Sequence, residues 1–374
     1  MKRILFAMLS LFSVMQAGIC ADVAKPFSLS IPGKATRPVL YFADHDLHVC
    51  DTNTQYAVIV IHGVTSGTHD YAYSIRPHLA DKYPTLRAPY IIVPCFPFED
   101  LLAKSDFKGY ACWKQGCWAS GNDSVNAGPV CAYDVVDEVF VKLMDKKAFP
   151  NLKHVLLMGF SAGGQFVNRY VAVGKAPQRP GVAVDFAVGS PSSWLYLDDR
   201  RPQKDGTFAP LTGDDWKGYN KWHCGLENKD SIRYVKAVSA EMMWNNVTSR
   251  HVLCFCGLED NDPAGRYVAN GRTARAEGAS RLERLRNYRR YVALFPDWAK
   301  QMDFLEIPGV GHKSYVCFLD PTIIRLMYGE RSKTHSGNAQ AGKDAADGLT
   351  PEKAIQSPAR PAETPSCPPA CSAK

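Results

Sequence analysis

Val155-Leu156-Leu157-Met158-Gly159-Phe160-Ser161-Ala162-Gly163-Gly164 is an apolar run that ends in Gly-x-Ser-x-Gly and passes at once into residues with helical spacing. A buried strand at about 155–159, a sharp turn and a helix at about 162–173 are expected there. Glycines flank the serine because so tight a turn leaves no room for side chains beside it. The turn holds the hydroxyl at the N-terminus of the helix, where the positive end of the helix dipole favours developing negative charge. Ser161 is therefore the candidate nucleophile.

Outward from this stretch, further short apolar runs occupy 57–61, 90–95, 186–189, 251–256 and 303–307. Helical patterns fall between and after them, at 133–145, 273–295 and 315–328, bounded by breakers such as Pro150, Gly174 and Pro296. Strands and helices in alternation predict an α/β domain over 22–329, with a mainly parallel central sheet flanked by helices. One or two antiparallel edge strands are expected before Gln55. Two stretches break the alternation, about 96–130 and 194–247, and read as long loops or a cap over the sheet. Six of the seven tryptophans lie in them, at Trp113, Trp118, Trp194, Trp216, Trp222 and Trp244. These rings either form the small core of the cap or are offered to a substrate, and for the second role Trp113, Trp118, Trp194 and Trp222 are the candidates.

A serine nucleophile needs a base. The strand at 303–307 runs into Gly309-Val310-Gly311-His312, which makes His312 the candidate. A carboxylate that orients the imidazole is expected after the preceding strand, in Gly257-Leu258-Glu259-Asp260-Asn261-Asp262. Asp260, three residues past the glycine, is the first choice; Asp262, Glu259, Asp198 and Asp199 are the alternatives. The strand at 57–61 ends in His62-Gly63, and the N–H groups just beyond it face the end of the sheet that carries Ser161. Ala162 with Val64, or Thr65 in its place, would supply the oxyanion hole. His62 itself is expected to be a structural hydrogen-bonding residue. His45, His48 and Cys50 lie close together, but no second cluster accompanies them, so no metal site is expected.

With these residues in place, the chain resembles the α/β-hydrolase superfamily over about 55–328. The resemblance rests on His62-Gly63, the turn from Gly159 to Gly163, Gly257 to Asp260 and Gly311-His312, in the order Ser, Asp, His. It implies an α/β-hydrolase fold with long Trp-rich insertions, a triad of Ser161, Asp260 and His312, and acyl transfer to water through an acyl-enzyme without a cofactor. Ser161-Ala-Gly-Gly together with the leader is also similar to secreted polyester depolymerases and to feruloyl or acetyl esterases. A small-molecule or polymeric ester is the expected substrate. A serine peptidase or amidase, or a non-catalytic module that binds through the tryptophan-rich cap, are the other readings.

The chain opens with Met1-Lys2-Arg3, an apolar run over 4–14 and small residues up to Ala21. That pattern predicts a signal peptide over 1–21 and export to a periplasm or the medium. Cys20 follows Ile19, not the small residue that a lipid-anchoring site prefers. Export leaves eleven of the twelve cysteines, and local bridges are expected between Cys112 and Cys117 and between Cys367 and Cys371. No later segment is long and apolar enough for stable membrane insertion. The net charge of +7 is mild, with basic residues gathered between Arg266 and Arg290 on what reads as a solvated helix face, so nucleic acid is not an expected partner. From 330 to 374 the composition predicts a disordered low-complexity tail.

Overall fold

The computed structural model describes residues 25–65, 75–79, 81–82, 88–101, 107–265 and 267–331. The expected signal peptide, the tail beyond 331 and the Cys367–Cys371 bridge lie outside these residues.

An eight-stranded sheet forms the centre, in the order β1-β2-β4-β3-β5-β6-β9-β10. Tyr56–Ile61 (β3), Tyr90–Pro94 (β4), His154–Phe160 (β5), Ala183–Gly189 (β6), His251–Gly257 (β9) and Met302–Ile307 (β10) run parallel. Lys25–Leu29 (β1) and Val39–Ala43 (β2) add the antiparallel edge expected before Gln55. The inner strands are apolar on both faces because both faces are covered. Along β5, Val155 and Leu157 enter one core while Leu156, Met158 and Phe160 enter the other. Ala132–Met144 (α1), Ala162–Val173 (α2), Ala240–Ser249 (α3) and Arg281–Val292 (α4) bury their apolar residues in the first core, and Pro321–Met327 (α5) packs into the second.

Two expected helices are broken. The pattern at 273–295 divides into Arg272–Arg275 and α4, and a separate short helix, Pro296–Ala299, begins at the breaker Pro296. Gly278 takes φ +139°, and Ser280 then starts α4 afresh by accepting from the N–H of Glu283, whose carboxylate accepts from the N–H of Ala279. The pattern at 315–328 divides into Ser314–Phe318 and α5, because Asp320 caps a new start and Pro321 fills its first turn. The stretch 194–247 is more ordered than a loop: it holds the hairpin of Arg200–Pro202 (β7) and Phe208–Pro210 (β8), and α3. Cys112 carries a free thiol, so the expected Cys112–Cys117 bridge is absent. The chain there is shaped by Trp113, which bridges to Phe98, and by Asn126, whose side-chain oxygen accepts from the N–H of Cys112.

At the N-terminal ends of the strands, away from Ser161, a polar string crosses the sheet. Asp185 bonds His154 Nε2 at 3.0 Å and His251 Nδ1 at 3.1 Å, and His251 Nε2 reaches Asp303 at 3.0 Å. Arg331 also pairs with Asp185. Burial by itself depresses the His251 pKa, but the two carboxylates outweigh it and raise the value. A raised folded pKa means that the stabilisation is complete below the unfolded value of about 6.5 and is lost as pH rises through the folded one. The stability difference between the natural protein and His251→Gln, measured by urea unfolding, is therefore expected to be largest near pH 6 and to shrink toward pH 9. A difference that grows with pH would show that His251 is not held as the cation.

Candidate active site

Ser161 sits where β5 meets α2, with φ +59° and ψ −117°, a backbone region that serine rarely adopts. Its N–H is held by the carbonyl of Gly189 at the end of β6, at 2.9 Å. The glycines around it are required by backbone contacts. A Cβ on Gly159 would lie 2.4 Å from the carbonyl of Gly163, one on Gly163 would lie 2.1 Å from the Ile61 oxygen, and one on Gly164 would lie 2.4 Å from the Gly189 oxygen. Those close approaches let α2 start directly over the ends of β3 and β6, with the serine side chain at its N-terminus.

The structure brings His312 and Asp260 together. His312 Nδ1 lies 2.7 Å from Asp260 Oδ2 across the ends of β9 and β10, which fixes Nδ1 as the protonated nitrogen and leaves Nε2 as the acceptor. The His312 ring packs on Phe160, the residue before Ser161, with centroids 4.7 Å apart. Asp260 is buried. Its burial favours the neutral acid, yet the hydrogen bond and charge of His312 and the charge of Arg281 outweigh it and hold the carboxyl below its ordinary range. Of the alternatives, Asp262 is exposed and turns back to accept from the N–H of Ala264, and Glu259 is exposed. Asp198 is engaged with Arg200.

Ala162 is the first residue of α2, where the N–H has no partner within the helix. Val64 lies in the turn after β3, half-buried. His62 anchors the start of that turn. Nδ1–H donates to the Gly63 carbonyl at 2.7 Å and Nε2 accepts from the N–H of Phe96 at 3.0 Å, while complete burial lowers its pKa to about 4. Both ring nitrogens are used, so His62 is a neutral structural residue and not a second base.

The tryptophan candidates divide. Trp113, Trp118 and Trp194 are fully buried, so of the two readings of these rings it is core, not substrate contact, that holds for them. Trp118 packs among His62, Phe96 and Phe166, and Trp194 stacks on Tyr288 at 4.3 Å. A ring of that kind contributes about 3–5 kcal/mol as core, so these residues secure the insertions to the sheet. Trp222 is half-buried and donates Nε1–H to the carbonyl of Ser120 at 2.8 Å.

An open cavity of about 370 Å³ adjoins His312, lined by Glu259, Asp260, Asp262, Gly265, Tyr267 and Arg281. Arg281 and Tyr267 were absent from the sequence reading. Arg281 and Arg284 are buried at 1 % exposure each, so on this helix the expected solvated face holds only for Arg286, Arg289 and Arg290, which are exposed. Arg284 donates to the carbonyls of Ser192, Gly278 and Ala269. The signal available in the sequence was the position of two arginines on the same side of α4 as Leu285 and Tyr288, an apolar stripe that charged residues enter only with partners.

Elsewhere among the described residues, Asp123, Cys131 and Asp134 approach one another as metal ligands would. Arg233 pairs with both carboxylates and Lys34 with Asp134, so protein cations already occupy the place of an ion. His45 stacks on Tyr90 and pairs with Asp51, and His48 pairs with Asp46, which uses the other ligand-like cluster. No helix among the described residues is long and apolar enough to cross a membrane.

No protein-family model matches the chain, and no curated protein matches it in sequence. Solved structures do match in fold. The chain is similar to poly(aspartic acid) hydrolase-1 from Sphingomonas sp. KT-1, at 16% identity and a TM-score of 0.53, over 78% of this chain and 94% of that one. It is also similar to a poly(3-hydroxybutyrate) depolymerase from Bordetella parapertussis, at 18% identity and a TM-score of 0.53, over 83% of this chain and 92% of that one.

Proposed function

We propose that this chain, which has the α/β-hydrolase fold, is an exported serine hydrolase that cleaves a carboxylic ester. The observation that carries the proposal is the 2.7 Å contact of His312 with the buried carboxylate of Asp260, against the residue that precedes Ser161. Ser161 Oγ attacks the ester carbonyl as His312 Nε2 takes its proton, and Asp260 stabilises the imidazolium. The oxyanion is held by the N–H groups of Ala162 and Val64. The tetrahedral intermediate collapses, the leaving alkoxide takes the proton from His312, and the acyl group stays on Ser161. Water, deprotonated by His312, then releases the acid and restores the serine. Nothing in this sequence of steps calls for a cofactor.

The test is burst kinetics with short-chain and long-chain p-nitrophenyl esters on the purified protein, with fluorophosphonate labelling mapped by mass spectrometry. A burst of one p-nitrophenol per chain and a label on Ser161 are expected. A folded protein with neither label nor turnover would overturn the reading and favour a non-catalytic binding module. Export is tested by N-terminal sequencing of the protein recovered outside the cytoplasm, where loss of residues 1–21 is expected and retention of Met1 would contradict it.

A further inference from the structure

Asp260 has a second buried partner besides His312. Arg281, the first residue of α4, donates Nη1–H to Asp260 Oδ1 at 3.0 Å and Nε–H to Ser192 Oγ at 3.0 Å. Ser192 Oγ–H in turn donates to the carbonyl of Tyr267 at 3.2 Å. Arg281 and Ser192 are 1 % and 3 % exposed. Tyr267 is 46 % exposed, has φ +62°, and lines the same cavity as His312. An aromatic residue with positive φ persists only where the surroundings hold it there. One guanidinium thus joins the carboxylate behind the imidazole to the turn that walls the cavity. Its planar fork presents Nε–H and Nη1–H at a fixed spacing, one toward each partner, where an ammonium would have to reach both from a single nitrogen.

We propose that Arg281 is a positioning residue with two effects: it holds Asp260 in line with His312, and through Ser192 it sets the Tyr267 turn against which the substrate rests. The proposal rests on the hydrolase reading above. Burying Arg281 is favourable only with Asp260 ionised, and Asp260 uses one oxygen for each partner, so its rotation is fixed. The other ionisable groups around the Asp260–His312 pair are Glu259 and Asp262 on the cavity wall, Lys313 beside His312, and the buried thiols of Cys256 and Cys317. Arg281 is the buried cation among them.

The test compares Arg281→Met, Arg281→Lys and Ser192→Ala with the natural protein. Three readouts are used: the pH profile of kcat/KM, the downfield NMR resonance of the proton between His312 and Asp260, and thermal unfolding. In Arg281→Met the guanidinium no longer repels an imidazolium, so the acid limb of the profile moves to higher pH. kcat/KM at its plateau falls by roughly 10- to 100-fold and the resonance broadens or shifts. Arg281→Lys keeps the charge, and is expected to keep the acid limb while KM rises several-fold because Ser192 loses its donor. Ser192→Ala keeps the contact with Asp260 and is expected to raise KM more than it lowers kcat. A folded Arg281→Met protein with the natural acid limb, resonance and kcat/KM overturns the proposal; if that variant does not fold, an Arg281→Lys protein with unchanged KM overturns it. The resonance needs no substrate. An Arg281-dependent resonance in a protein without hydrolase activity would uphold the clamp and reject the ester chemistry.

Discussion

Ser161→Ala is expected to lower kcat on p-nitrophenyl esters by about 10⁵- to 10⁶-fold and to abolish fluorophosphonate labelling, with the unfolding temperature nearly unchanged. The reasoning separates the two effects. The hydroxyl is the only atom removed, and the strained backbone at φ +59° costs alanine about what it costs serine. The hydrogen bond from the N–H of residue 161 to Gly189 stays, as does the close approach of Gly163 to Ile61. Residual turnover then comes from the oxyanion donors and binding alone. A variant that keeps more than about a tenth of the activity would remove Ser161 from the mechanism. Loss of activity together with loss of the folded state would point instead to a structural serine.

Asp260→Asn is expected to lower kcat by about 10³- to 10⁴-fold, whereas Asp262→Asn changes it by less than about two-fold. An amide in place of the carboxylate can present a donor to His312 Nδ1, which selects the imidazole tautomer with its proton on Nε2, the wrong one for a base. It also leaves Arg281 buried without its counter-charge, which costs about 3 kcal/mol of stability. Asp262 lies in solvent and accepts only a local backbone bond, so neither penalty applies. The Asp260 contribution also has a definite pH dependence. Its folded pKa is depressed, so the stabilisation is present above the unfolded value of about 3.9 and is lost as pH falls through the folded one. Steady-state kinetics and urea unfolding of the two variants side by side decide between the acids. Equal losses in both would return the choice to the alternatives.

Much of the site was legible in the chain because its signals are local. Gly159, Ser161 and Gly163 encode a turn whose backbone contacts exclude side chains, and the strand before it and helix after it follow from apolar spacing alone. Asp260 is found by its distance from the strand-ending Gly257, and His312 by the Gly-rich turn that follows Ile307 at the end of β10. Their pairing follows once β9 and β10 lie side by side in a parallel sheet. The break at Gly278 was less visible, because the apolar spacing continues across it while the backbone does not.

The sequence by itself therefore determined the sheet, the sharp turn at Ser161 and a short choice of candidate acids and base, since these depend on residues near one another in the chain or at the ends of adjacent strands. Tertiary structure alone decided whether a long side chain was core or surface. Trp113, Trp118 and Trp194 close the interior because Phe96, Phe166 and Tyr288 happen to meet them. Arg281 faces inward because Asp260, twenty-one residues earlier, supplies a buried counter-charge there. Helical spacing places Arg281 on the apolar side of α4 but does not name its partner, for burial of a ring or a charge is set by what the folded chain brings against it.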